Sequence, residues 1–327
     1  MRICIIGDEP SVEDEGMRIL SGRLASEMTT RHDVLYLRPI DVVKRRSLRG
    51  LKTLSPDIVH YFPGPTALSF LILKSITKVA HSVGIASATH PHLNPRLARA
   101  IRFSWPDLVV CQSRKTMKLF SDIGIKTEIL RSGVDLEKFT PGSPKERERL
   151  RDTYGIKRDE FVVLHVGHLN GRRNLRQLGD LQQKCNVQVV IVVSSSTTHD
   201  ATLEKELVDS GCIVMKEYLP RIEDLYRLSD CYVFPTCDPR GSIEFPLSVL
   251  EALACNLPVV SSRFGSLPEA FTAGNGVYFY DSPDDLKHRI EEVMHGNRNY
   301  ETRELVLDFS WSEVAKNLEG IYTRALE

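Results

Sequence analysis

The sequence predicts an α/β protein made of two Rossmann-like domains, each with a parallel sheet. Three observations carry this. Short β-rich runs alternate with longer amphipathic stretches along the whole chain, the pattern of repeated βαβ units. The runs are almost uninterrupted in apolar residues, as strands buried on both faces require. The alternation also restarts midway, and 327 residues suit two ordinary domains.

In the first half, strands are predicted at 2–7, 33–39, 57–62, 85–90, 107–113 and 127–133. Between the first two, GMRILSGRLASEM (16–28) places Ile19, Leu20, Leu24 and Met28 on one helical face. The stretch 139–160 holds two prolines, two glycines and dense charge, and reads as a linker followed by a solvated helix. A boundary therefore belongs near residues 140–158, dividing the chain into domains 1–150 and 151–309. Strands restart at 161–167, 187–194, 212–217, 231–236 and 257–263. The segment 310–327 carries Val314, Leu318, Ile321, Tyr322 and Leu326 at helical spacing.

The composition narrows the function classes. Lys and Arg number 43 and Asp and Glu 43, so the formal net charge is +0, which argues against a dedicated nucleic-acid binder. Hydrophobic residues at 42% and charged ones at 26% exclude disorder, collagen and coiled coil. The seven cysteines form no Cys-x-x-Cys pair and the ten histidines supply no ligand spacing, so no structural zinc and no metal site is expected. Reduced thiols fit a cytoplasmic protein. The apolar start MRICIIG is too short for a signal peptide, and no apolar run approaches the ~20 residues of a membrane span.

Ligands of open α/β sheets bind at the carboxyl ends of the strands, so the chemistry belongs in the loops that follow them. No Gly-x-Gly-x-x-Gly occurs, which disfavours a nicotinamide dehydrogenase, and no Walker A or serine elbow occurs either. Asp-x-Asp is absent, so a metal-held diphosphate is not indicated. The segment 241–269 is the most informative. Pro246 suits the first turn of a helix running to about Cys255, with Leu247, Leu250 and Leu253 towards the sheet. Glu244 then sits at the mouth of that helix, and Glu251 two turns in could accept both hydroxyls of a ribose. A plain helix-surface carboxylate is the alternative for Glu251.

Two further loops offer groups for an anion. FGSLPE (264–269) presents the amides of Gly265, Ser266 and Leu267, which could wrap a phosphate or form an ordinary strand–helix turn. HVGHLNGRRNLRQL (165–178) has Gly167 and Gly171 in a turn, His168 beside them, and Arg172 and Arg173 before a helix that Asn174 could cap. A guanidinium there can clamp a diphosphate; a solvated basic turn is the other reading. In the first half, THPHLN (89–94) places His90 and His92 just past a strand end, either as structural hydrogen-bonders or at the edge of a cleft. Lys44, Arg45, Arg46, Arg49 and Lys52 form a basic cluster that could meet anionic lipid or a phosphorylated acceptor, or simply be solvated.

Taken together, SGVDLEKFTP (132–141), EYLPRIEDLYRLSDCYVFPT (217–236), LEALACNLPVVSSRFGSLPE (250–269) and the terminal FSW (309–311) resemble a retaining glycosyltransferase of family 4. The resemblance runs from end to end. It implies the GT-B fold, a nucleotide-sugar donor on the second domain, and an acceptor on the first: a glycan, a lipid-linked saccharide or a small molecule. It implies transfer without a cofactor and a last helix crossing back to the first domain. By position, Glu251 resembles the ribose-binding carboxylate, Gly265 to Leu267 the turn beside the phosphates, and His90 the histidine near the transferred sugar. The sequence departs from the family in three places. Ile243 stands where the first of two glutamates is expected, with Glu244 one residue late. His168 replaces the phosphate-binding Arg, and Arg173 its Lys. Ser194, Ser195 and Ser196 replace glycines. Arg172, Arg173, Glu244 and Glu251 therefore form the expected site, with His90 and Glu244 at the sugar. The alternatives are a catalytically silent nucleotide-sugar-binding or scaffold protein and, more remotely, a sugar-nucleotide epimerase.

Overall fold

A computed structural model describes the chain except residues 9–15, 43, 91–94, 195–198 and 297–298. It divides into two compact units. The first comprises residues 1–133, 243–245 and 311–327, and the second 134–242 and 246–310.

The first unit runs β1 (Arg2–Ile6), α1 (Gly16–Thr29), β2 (Asp33–Leu37), α2 (Arg45–Leu54), β3 (Ile58–Tyr61), α3 (Ala67–Ala80), β4 (Val83–Ala88), α4 (Pro95–Ala100), β5 (Leu108–Cys111), α5 (Arg114–Ser121) and β6 (Thr127–Ile129). Its sheet has the order β2-β1-β3-β4-β5-β6, with every pairing parallel. The apolar continuity of β1 has its cause here: Ile3, Cys4, Ile5 and Ile6 are all fully buried between helices. One face of the core gathers Val59, Phe70, Leu73, Val109 and Phe120.

The second unit runs α6 (Pro144–Tyr154), β7 (Val162–Gly167), α7 (Arg176–Lys184), β8 (Gln188–Val193), α8 (Ala201–Asp209), β9 (Ile213–Met215), α9 (Glu223–Leu228), β10 (Cys231–Phe234), α10 (Leu247–Ala254), β11 (Val259–Ser262), α11 (Leu267–Ala270), β12 (Val277–Tyr280) and α12 (Pro283–His295). The order is β12-β11-β10-β7-β8-β9, again parallel. The edge strand β12, VYFY, is one strand more than the second half was predicted to hold. The edge strands β6 and β9 have three residues each, shorter than expected; a short edge strand leaves few unpaired backbone groups exposed.

The first stretch of the first unit ends at Gly133, ahead of the 140–158 stretch, and α6 lies wholly in the second unit. The reason is an ionic anchor. Arg151, 3% exposed, donates to Asp230 Oδ2 at 2.6 Å and to the Leu228 carbonyl at 3.0 Å, fastening α6 beside α9. The last helix, α13 (Trp311–Leu326), belongs to the first unit. Val314, Leu318, Ile321 and Tyr322 are buried, whereas Leu326 is exposed. Tyr322 reaches His60 Nδ1 at 2.7 Å, and His60 Nε2 meets Ser87 Oγ at 2.8 Å, so α13 is tied to β3 and β4 through a buried imidazole.

Candidate donor and sugar sites

In the second unit, β7 ends at Gly167 and the chain turns through a short 3₁₀ segment, Gly171–Arg173. Asn170 caps that segment, accepting from the Arg172 N–H at 3.1 Å. Asn174 does not cap α7 as expected: it takes a left-handed φ of 59° at the end of the 3₁₀ turn, and α7 starts from Leu175 without a side-chain cap. The turn sends its two arginines to different places. Arg172 is exposed, while Arg173 is 7% exposed, its guanidinium 5.8 Å from the centre of the Phe234 ring. Among the described residues no acceptor hydrogen-bonds the Arg173 guanidinium, and its Nε is buried without a partner. Burial lowers Arg173 to about 10, so it remains a cation at neutral pH. A buried cation without a counter-charge is costly and marks a place where an anion is wanted.

Gly167 makes room for this cation. A Cβ there would lie 2.7 Å from Arg173 Nη1 and 3.3 Å from His165 Nε2. His165 itself is fully buried; its Nδ1 sits 2.9 Å from the Val233 carbonyl, so the proton is on Nδ1 and Nε2 carries a lone pair. Burial first, then the Arg173 charge, lower His165 to about 3. His168 is half-buried on the same turn. Ser194 closes β8, its N–H donating to the Gly167 carbonyl at 3.2 Å; Ser195 and Ser196 lie outside the described residues.

Helix α10 presents Ser248 and Glu251, one turn apart, as its two half-buried polar residues. Each receives a tyrosine hydroxyl. Tyr226 donates to Glu251 Oε2 at 2.6 Å, and Tyr232 donates to Ser248 Oγ at 2.7 Å. Leu247, Leu250 and Leu253 are buried, as the spacing predicted. The turn 265–267 opens with Gly265 at φ 54°, a left-handed conformation that suits glycine. Leu267 N–H is committed to the Phe264 carbonyl at 3.1 Å and Ser266 is fully buried, so this turn offers fewer amides to an anion than FGSLPE suggested.

The sugar-side candidates lie in the first unit. His90 follows β4, with Nδ1 3.2 Å from Thr89 Oγ1. His92 lies outside the described residues. Glu244 precedes Pro246, the N-cap of α10, by two residues. It belongs to the tripeptide Ile243–Phe245, which packs with the first unit through three backbone contacts. Glu244 N–H donates to the Thr89 carbonyl at 3.0 Å, Phe245 N–H to Gln112 Oε1 at 3.1 Å, and Ser132 Oγ donates to the Phe245 carbonyl at 3.0 Å. The Glu244 carboxylate, 5% exposed, accepts from Thr116 Oγ1 at 2.7 Å in the first turn of α5. A helix N-terminus favours an anion, which explains why this buried carboxylate is tolerated there. Burial and the Glu244 charge together push the Cys111 thiol up. Among the described residues no group of three or more metal-ligating side chains gathers, and no helix is long and apolar enough to cross a membrane.

The glycosyl transferases group 1 family matches residues 146–305. The match takes in 160 of the 327 residues. Curated relatives agree: D-inositol 3-phosphate glycosyltransferase of Mycobacteroides abscessus is 30% identical over 215 residues, 62% of this chain and 47% of that protein. Spore coat protein SA of Bacillus subtilis is 25% identical over 229 residues, 61% of this chain and 59% of that protein. The chain thus spans about half the length of the curated relatives it matches. Among solved structures, Anabaena HepE, in complex with UDP and glucose, superposes with a TM-score of 0.79 at 15% identity, covering 99% of both chains. Sucrose-phosphate synthase from Thermosynechococcus elongatus gives 0.78 at 16% identity over 98% of both chains. The two parallel six-stranded sheets are those of the GT-B fold.

Sequence reasoning passed over Tyr226, Tyr232 and His165. The available signal was a polar tip in an apolar setting: a histidine inside the strand run FVVLHVG, and two tyrosines flanking the end of α9.

Proposed function

We propose that this chain is a retaining glycosyltransferase of family 4 that moves a sugar from a nucleotide-sugar donor to an acceptor held by its first unit. One observation carries the reading: a buried, unpaired Arg173 at the carboxyl end of β7, in the unit that also presents Glu251. Arg173, assisted by the exposed Arg172, neutralises the diphosphate; Glu251 accepts from the ribose hydroxyls. The charge on the leaving group is met by these side chains and the turn at 265–267, so no metal and no cofactor are needed. HepE, which shares the fold, is described with UDP and with UDP-glucose, and that supports a nucleoside-diphosphate sugar as donor.

In the first unit, His90 and Glu244 are joined through Thr89, and this pair serves the oxocarbenium-like sugar. The acceptor is a glycan, a lipid-linked saccharide or a small molecule. Arg46, Arg49 and Lys52 on α2 are exposed with no ion pair among the described residues, and Ile40 beside them is 75% exposed. They support a cytoplasmic protein that touches anionic lipid peripherally. A second reading, a donor-binding protein without turnover, is favoured by the engagement of Glu244 with Thr116 and by Ile243 beside it.

The test is a thermal-shift screen across nucleotide sugars, because a ligand that binds the folded state raises the melting temperature. At least one nucleotide sugar should do so for the wild type and fail with Arg173→Ala. Equal shifts for both proteins would remove Arg173 from the donor site.

A further inference from the structure

From the contacts around α10, we infer that Tyr226 is a positioning residue that fixes the Glu251 carboxylate for the ribose diol and so sets the preference for ribonucleotides. The inference rests on the reading of Glu251 given above.

Four observations support it. The Tyr226 hydroxyl donates to Glu251 Oε2 at 2.6 Å, the short distance of an O–H···O⁻ bond. A carboxylate has about four lone-pair sites, so a bond from one hydroxyl orients the group without saturating it. The Tyr226 ring is 1% exposed and cannot swing away. It lies edge-on to Phe139 at 5.5 Å and stacks on Tyr232 at 5.9 Å. Burial, then the Glu251 charge, raise its phenol well above the ordinary value, so it remains a donor.

The stack also continues. Tyr232 lies over His165 at 6.2 Å, His165 approaches Phe234 at 6.4 Å, and the Arg173 guanidinium rests over Phe234. A single buried aromatic column thus runs from the ribose candidate to the diphosphate candidate. Since the spacing of ribose and diphosphate in a nucleotide is fixed by covalent bonds, a rigid column between their two receptors is the arrangement that recognition of both needs.

The experiment uses calorimetry on the full chain. UDP, ADP and GDP are titrated first, and the tightest is compared with its 2′,3′-dideoxy counterpart and with inorganic pyrophosphate. Wild type should prefer the ribonucleotide. Tyr226→Phe, which keeps the ring and removes the hydroxyl, should weaken the ribonucleotide about tenfold while leaving the dideoxy form and pyrophosphate unchanged. With a nucleotide sugar turned over, KM should rise about tenfold and kcat stay within twofold. Glu251→Ala separates the two claims. If it abolishes the ribose preference while Tyr226→Phe retains it, Tyr226 has no positioning role and the Glu251 reading stands. If Glu251→Ala retains the preference, the Glu251 reading fails and takes the inference with it. Equal weakening of all three ligands by Tyr226→Phe marks a general packing role and also overturns it.

Discussion

The Arg173 guanidinium occupies the space that any side chain at position 167 would need. A Cβ on Gly167 would stand 2.7 Å from Arg173 Nη1. Gly167→Ala should therefore displace the cation and weaken nucleoside-diphosphate binding at least about tenfold. Arg173→Met should lower that affinity about 100-fold, yet leave the unliganded protein as stable as wild type or about 1 kcal/mol more stable, since a buried unpaired charge is removed. Calorimetry and urea unfolding measure the two effects. A strongly destabilised Arg173→Met protein would show that the guanidinium holds the fold together.

Much of this was legible in the sequence. Short, β-branched apolar runs such as VQVVIVV suit strands covered on both faces, and all but one of the strands appear where the predicted runs lie. Gly167, Arg173 and Glu251 could be read as site candidates because strand ends are where open sheets bind ligands. Glu244 could not be placed, because its position depends on contacts with Thr89 and Thr116, more than a hundred residues away in sequence. Tyr226 was hidden for a related reason: its partner, Glu251, sits on the following helix, at no spacing that a local pattern marks.

Two buried histidines make the fold sensitive to acid. His60 and His165 are each lowered to about 3, chiefly by burial. In the unfolded chain a histidine gains its proton near pH 6.5, whereas in the fold it stays neutral down to about 3. The unfolded state thus binds more protons below 6.5, and stability falls as pH drops through that window. The expected slope for each histidine approaches about 1.4 kcal/mol per pH unit roughly one unit below 6.5 and holds down towards 3. Urea unfolding at several pH values should show it, and His60→Gln should reduce the slope; an unchanged slope would mean that His60 titrates normally in the fold.

Thr116 and Glu244 test whether the carboxylate anchors, catalyses or does both. Thr116→Val removes the donor and should cost about 2 kcal/mol of stability. Glu244→Gln keeps an acceptor for Thr116 and removes the charge. If that charge serves the transferred sugar, kcat should fall about 100-fold with donor affinity within twofold. An unchanged kcat would confine Glu244 to anchoring.

The cationic face of α2 should draw the protein to anionic vesicles. Co-sedimentation with phosphatidylserine-containing liposomes should exceed that with neutral ones and decline with salt. Replacing Arg46, Arg49 and Lys52 by Gln should abolish the difference. Binding that ignores lipid charge would dismiss the peripheral contact.

The most direct measurement is the release of nucleoside diphosphate from a panel of nucleotide sugars, with UDP-glucose included, by wild type and Arg173→Ala. Slow release by wild type from at least one donor, accelerated by an acceptor and lost in the variant, is the predicted result. Tight donor binding with no release, with or without acceptors, would contradict glycosyl transfer and leave the silent donor-binding protein.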